Sequence, residues 1–262
     1  MDFNKLRRSL AKHNSLSLLY YFFIDRLELQ YNYNDLTKEY YGKIKKLGDA
    51  ELEHQIGRLS NFKAIIAAIN KNKIKGGFVE FGTWRGFSLL WTVFLAEREG
   101  FINRKFIGMD SFSGLPNSEG VFKKGAFGDT SLAICKRNIA RSNHLYPFTK
   151  KQVYIEQFSF KEGQKIAKRI REIGASKFVF VHIDCDLSSS AKSVFNLLTK
   201  YDLLNDKCFI LFDDYGMKTN LAKTVDEYLN SMKKTWKIRV HSTTKITKNY
   251  YLVRKNYENK NN

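Results

Sequence analysis

Along residues 1–75 the apolar positions follow a helical rhythm. Leu52, Ile56, Leu59, Phe62, Ile66 and Ile69 recur at three- and four-residue spacing, which predicts one buried helical face. Gly76-Gly77 then breaks the pattern. Beyond it the chain alternates short apolar bursts with amphipathic stretches. The bursts at 78–81, 105–109, 152–155, 178–183 and 208–212 are predicted strands. The stretches at 88–97, 129–142, 161–172, 188–201 and 220–232 are predicted helices, the second opened by the N-cap residues Asp129-Thr130-Ser131. Residues 236–240 and 250–253 read as a terminal strand pair. Strand–helix alternation with short connections predicts an α/β fold, a mostly parallel sheet with helices on both faces. The expected organisation is an N-terminal helical segment over 1–75, one α/β domain over 76–255, and a polar, disordered tail over 256–262.

Composition narrows this picture. A chain of 262 residues with 43% hydrophobic residues is long and apolar enough for one well-buried domain. The 45 Lys and Arg against 26 Asp and Glu give a formal net charge of +19, which favours anionic partners, a phosphate-bearing substrate among them. A solvated lysine-rich surface is the plain alternative. Cys135, Cys185 and Cys208 have no CxxC spacing, so a zinc site is not expected, and this usage fits a reducing cytoplasm. No run reaches the ~18 apolar residues of a membrane span. The run at 16–24 follows Lys5, Arg7 and Arg8 but lacks a small-residue cleavage site, so it reads as an amphipathic helix. Docking on the protein body is its expected role, with membrane-surface contact the lesser one.

The candidate chemistry sits at strand ends. The burst at 178–183 runs into Asp184-Cys185-Asp186, and the burst at 208–212 into Asp213-Asp214. In an open α/β sheet, ligands bind just outside such ends. Adjacent strands would bring Asp184, Asp213 and Asp214 together, where three anions repel unless a cation separates them. All-oxygen ligation suits a hard ion such as Mg²⁺. The first strand enters Glu80-Phe81-Gly82-Thr83-Trp84-Arg85-Gly86. This is not the dinucleotide pattern G-x-G-x-x-G, so an NAD-dependent oxidoreductase is not favoured. A carboxylate at Glu80 suits an amine-bearing ligand instead, such as the amino acid portion of S-adenosylmethionine. The second strand ends in Asp110, placed to accept ribose hydroxyls or to cap a turn.

Four segments then carry a resemblance. Residues 106–116, with Asp110-Ser111-Phe112-Ser113-Gly114-Leu115-Pro116, resemble the "DSFeGLP" signature of the macrocin O-methyltransferase family. Residues 79–86 resemble its first motif, residues 182–190 its "IDxDxYxST" motif, and residues 212–216 its "DDY" motif. The resemblance covers about 75–235. It implies a Rossmann-like class I methyltransferase fold with a seven-stranded sheet, using S-adenosylmethionine and Mg²⁺ to methylate a sugar hydroxyl. It puts Asp184, Asp213 and Asp214 on metal positions. Glu80, Gly82, Thr83, Gly86, Asp110 and Ser111 fall on cofactor positions, and Phe158-Ser159, beside Gln157, on the adenine side. It also implies a dimer or higher oligomer, and places lid and oligomer contacts before residue 75. Ser188 departs from the family tyrosine on the substrate side.

For the general base, Asp186 is the first candidate, His182 the second and Lys192 the third; an N-cap role is the alternative for Asp186, and a satisfied strand histidine for His182. Trp84, Phe112 and Tyr215 offer aromatic faces to a sugar or adenine, or serve packing. The expected acceptor is a sugar of a glycan, a nucleotide- or lipid-linked sugar, or a glycosylated metabolite. Two other readings compete. A nucleic-acid methyltransferase suits the basic balance, yet Asp184-Cys185-Asp186-Leu187 lacks the proline-containing motif of base-amine enzymes. A non-catalytic binding protein would keep the fold without the chemistry.

Overall fold

The structure is a computed structural model that describes residues 49–101, 103–145, 152–217 and 219–256. The run at 16–24, most of the proposed N-terminal segment and nearly all of the tail lie outside them. The elements alternate as the sequence predicts: α1 (Asp49–Lys71), β1 (Gly77–Phe81), α2 (Phe87–Arg98), β2 (Phe106–Asp110), α3 (Leu132–Leu145), β3 (Val153–Gln157), α4 (Gly163–Glu172), β4 (Phe178–Ile183), α5 (Ser188–Lys200), β5 (Leu204–Phe212), α6 (Leu221–Met232), β6 (Trp236–Thr243) and β7 (Lys248–Arg254). The seven strands form one sheet in the order β3-β2-β1-β4-β5-β7-β6, parallel except where β7 runs against both its neighbours.

Alternation along the strands splits the core in two. Val79, Phe81, Val181 and Ile183 face α4, α5 and α6, meeting Ile166, Ala191 and Val225. Phe78, Phe106, Phe180 and Phe209 face the other layer, where α1 supplies Phe62, Ile65, Ile66 and Ile69 and α2 supplies Leu89 and Val93. Helix α1 is therefore part of the core packing on the sheet, and Asn61 at its centre donates to Thr247 Oγ1 at 2.7 Å, fixing it to the β6–β7 hairpin. Apolar burial on this scale, about 25 cal/mol per Å², is what holds α1 in place.

Two details differ from the sequence reading. Strand β5 starts at Leu204 rather than 208, because Asn205, Asp206 and Lys207 break the apolar run without breaking the strand. Helix α3 starts at Leu132 rather than 129: of the three predicted N-cap residues it is Ser131 whose Oγ accepts from Ile134 N–H at 3.2 Å, while Asp129 binds Arg85 at 2.6 Å. The three cysteines are free and buried. Among the described residues no helix is long and apolar enough to cross a membrane.

Candidate active site

Strand order reverses direction at β1 and β4, which puts a crevice outside their C-terminal ends. A cavity of about 810 Å³ lies there, within the range of small-molecule sites.

Its first end is built by the loops after β1 and β2. Gly82 has φ +94, and a Cβ there would stand 1.6 Å from the Asp184 carbonyl oxygen. Only glycine lets the β1 turn lie against the residue that follows β4. Asp110 braces this end: Oδ2 accepts from Trp84 N–H and Oδ1 from Phe112 N–H, each at 2.7 Å. Both partners sit in the left-handed region, Trp84 at φ 45 and Phe112 at φ 54, strain of the kind that clusters at ligand clamps. Burial raises the Asp110 pKa, with the backbone hydrogen bonds opposing it. Gly82, Thr83, Trp84, Asp110, Ser111 and Ser159 line the cavity.

Other predicted cofactor residues stand behind this wall. Gly86, at φ 90, is the N-cap of α2. Phe158 packs on the core. Glu80 is not a lining residue: it is 2% exposed and Oε2 pairs with His182 Nδ1 at 2.9 Å, directly across from it in the β1–β4 register. Glu80 Oε1 and His182 Nε2 are buried with no hydrogen-bond partner among the described residues. His182, packed edge-on to Phe62, also stays outside the cavity lining, and Lys192 faces solvent. Tyr215 bonds Asp226, and Phe112 is buried in the core.

The second end is acidic. Asp184, Asp186, Asp213 and Asp214 all line it, as do two residues of α1 that sequence reasoning did not single out. Arg58 Nη1 donates to Asp184 Oδ2 at 2.9 Å and to Asp213 Oδ2 at 2.8 Å, and His54 Nε2 pairs with Asp213 Oδ1 at 2.9 Å. The signal was present in the spacing: His54, Arg58 and Asn61 form a polar stripe at i, i+4, i+7 beside the apolar face.

These cations divide the carboxylates. Burial drives Asp213 upward, but Arg58 and the hydrogen bond from His54 outweigh it and hold Asp213 well below the usual carboxylate range. Burial lowers the His54 pKa, and Asp213 outweighs that too, so it ends raised. Asp184 and Asp214 are pushed well up, first by burial and then by the Asp213 charge. Burial raises Asp186 to about 7, against a hydrogen bond with Asp214. Asp186 and Asp214 adopt φ 59 and φ 54, so strain gathers here as it does at the first end. Asp186 is not the α5 N-cap; Leu187 is.

Oxygens of Asp184, Asp186 and Asp214 lie within 4.8 Å of one another, and so do ligand atoms of His182, Asp184 and Asp213. Four carboxylates face one guanidinium and one imidazole, leaving a surplus of negative charge that a divalent cation would offset. Hard oxygen donors in that number fit Mg²⁺.

Comparison with known proteins identifies the family. A model of the family described as Macrocin-O-methyltransferase (TylF) matches residues 54–244, a span that takes in all four aspartates and both α1 cations. None of the curated proteins matches the chain. Among solved structures, the O-methyltransferase NovP is similar with a TM-score of 0.56 at 22% identity, over 76% of this chain and 81% of that one. Calicheamicin methyltransferase CalS11 gives 0.61 at 16% identity, over 88% and 93%. An apo structure of CalS11, a TDP-rhamnose 3'-O-methyltransferase, gives 0.53 at 16%, over 77% and 80%. At these identities the structures establish the class I methyltransferase fold. With a family match across most of its length, the chain belongs to the macrocin O-methyltransferase family of S-adenosylmethionine-dependent enzymes.

Proposed function

We propose that the protein transfers a methyl group from S-adenosylmethionine to a sugar hydroxyl, with Mg²⁺ at the acidic end of the cavity. The observation that carries this reading is the joining of a braced nucleoside cradle and an acidic cluster in one cavity. In support, similar folds belong to NovP, an O-methyltransferase, and to CalS11, a TDP-rhamnose 3'-O-methyltransferase. The net charge of +19 suits an acceptor bearing phosphates of that kind.

Gly82, Thr83, Asp110, Ser111 and Ser159 would hold the donor, whose sulfonium carries the methyl group. Asp184, Asp213 and Asp214 would hold the metal, Asp213 with one donor from α1 already on each oxygen. Bound there, Mg²⁺ would acidify an acceptor hydroxyl and fix its position. Asp186 would be the general base: it lines the cavity beside Asp184 and Asp214, within reach of an acceptor hydroxyl held there. Arg58 and His54 keep Asp213 ionised and hold the end of β5 against α1. His182 and Glu80 support this floor from beneath.

The test is methyl transfer from labelled S-adenosylmethionine to a panel of nucleotide-linked deoxysugars, with and without Mg²⁺. Transfer that is lost in Asp184→Ala and Asp213→Ala supports the reading. Transfer that persists in both variants, or that ignores chelation of Mg²⁺, contradicts the metal role.

A further inference from the structure

Loop 111–128 leaves the cofactor end of the cavity and crosses to the acidic end. It is an organised arm. Leu115 N–H donates to Ala126 O and Gly125 N–H to Leu115 O, both at 2.9 Å. Near the tip, Glu119 and Phe122 exchange two backbone hydrogen bonds of 3.0 Å. At the root, Phe112 N–H is fixed on Asp110 at 2.7 Å.

The tip is held chiefly by one side chain. Glu119 Oε2 accepts from Ser188 N–H at 3.0 Å and from Ser188 Oγ–H at 2.7 Å, while Oε1 accepts from Asn220 N–H at 3.1 Å. Ser188 is the first residue of α5 and Asn220 is the N-cap of α6. Neither N-cap residue, Leu187 or Asn220, makes a capping hydrogen bond with its own side chain, and neither helix has an acidic residue in its first turn. Glu119 thus supplies one carboxylate to two helix N-termini, from 69 and 101 residues away, where the helix dipoles favour negative charge. Val121, two residues on, is 56% exposed and adds little apolar burial here.

The clamp joins two walls of the cavity. Asn117 and Phe122, either side of Glu119, line it from the arm, and Ser189, Ser190 and Ser193 line it from α5, directly after Ser188. We propose that Glu119 and Ser188 are positioning residues that set the width of the acceptor end by clamping the arm to α5 and α6. This rests on the reading that the cofactor occupies the Asp110 end, which leaves the opposite end to the acceptor. Ser188 is also where the chain departs from the motif it resembles, and only a small hydroxyl side chain there places Oγ–H on the carboxylate of Glu119. A tyrosine at 188 would replace that hydroxyl with a ring carbon.

The experiment is hydrogen–deuterium exchange over residues 113–127, beside calorimetric titration with S-adenosylhomocysteine, for the wild type, Glu119→Ala, Glu119→Gln and Ser188→Tyr. Bonds to a charged acceptor are strong enough that Glu119→Ala should speed exchange across the arm about tenfold or more. Glu119→Gln, which keeps one accepting oxygen, should fall between, and Ser188→Tyr should resemble Glu119→Ala. Affinity for S-adenosylhomocysteine should stay within about threefold, because the cradle at Asp110 is untouched. With the acceptor taken up in the transfer assay, Glu119→Ala should raise its KM about tenfold and leave the KM for S-adenosylmethionine unchanged. Wild-type exchange rates in Glu119→Ala would overturn the clamp. An equal rise in both KM values would overturn its assignment to the acceptor end. Failure of the wild type to bind S-adenosylhomocysteine would instead count against the proposed function, while exchange would still decide the clamp.

Discussion

The two ends of the cavity are built by different means. At the cofactor end the parts are close in sequence: the β1 turn, Asp110 and the residues that follow it, joined by backbone N–H groups donating to one carboxylate. At the acidic end the parts are remote. Arg58 reaches Asp184 and Asp213 across 126 and 155 residues, and His54 reaches Asp213 across 159. The first end is braced by neutral donors and accommodates a ligand against fixed backbone. The second gathers four carboxylates, compensates one of them fully from α1, and leaves the others short of positive charge. The proposed Mg²⁺ would therefore offset charge at one end of the cavity and not at the other.

The junction between the ends offers the largest effect. Gly82→Ala would force a Cβ into the Asp184 carbonyl at a backbone angle alanine avoids, so it should cost about 4 kcal/mol or more of stability. Thermal unfolding measures this; a melting temperature equal to the wild type would show that the ends are not wedged together as described. Next comes the compensation at the acidic end. Arg58→Met leaves Asp184 without its ion pair and Asp213 with His54 alone, and should cost about 3–5 kcal/mol, with Arg58→Lys recovering part of it. Urea titration decides the point, and a neutral Arg58→Met would mean that α1 is not what balances the cluster.

Asp186→Asn sharpens the comparison from the chemical side. It should lower kcat about 10²–10⁴-fold while leaving binding of S-adenosylhomocysteine at the other end intact. Loss of both would contradict the division of labour. The same variant carries a pH signature. The folded pKa of Asp186 is raised from 3.8 to about 7, so the metal-free folded state holds its proton more tightly than the unfolded chain. The stability from this group is present at low pH and is lost as pH rises through about 7. Without metal, Asp186→Asn should match the wild type near pH 4 and become the more stable of the two near pH 8. Added Mg²⁺ should narrow that gap. A gap that does not change with pH would show that Asp186 is not crowded.

Legibility in the sequence follows the same division. Strand bursts, the helix pattern and the Gly82 turn are local signals, and they place the β1, β2, β4 and β5 ends where the structure has them. The carboxylates of Asp184, Asp186, Asp213 and Asp214 could be gathered on paper because parallel strands end side by side. What periodicity does not carry is which polar group on a distant helix meets them. His54 and Arg58 sit beside an apolar stripe that explains α1 without them. Glu80 and His182 were legible as strand-end groups, but the β1–β4 register pairs them with each other, outside the cavity lining. Glu119 was invisible for a similar reason: a loop carboxylate serving two helix N-termini has no pattern of its own. Asp129 shows the converse, a good local cap signal overridden by Arg85.

Calorimetric titration of the purified protein with S-adenosylhomocysteine, with and without Mg²⁺, tests the central claim most directly. The account predicts micromolar binding of one ligand per chain, retained without the metal because the cofactor end is built independently of the acidic one. Folded protein free of carried-over ligand that shows no binding in either buffer would contradict it.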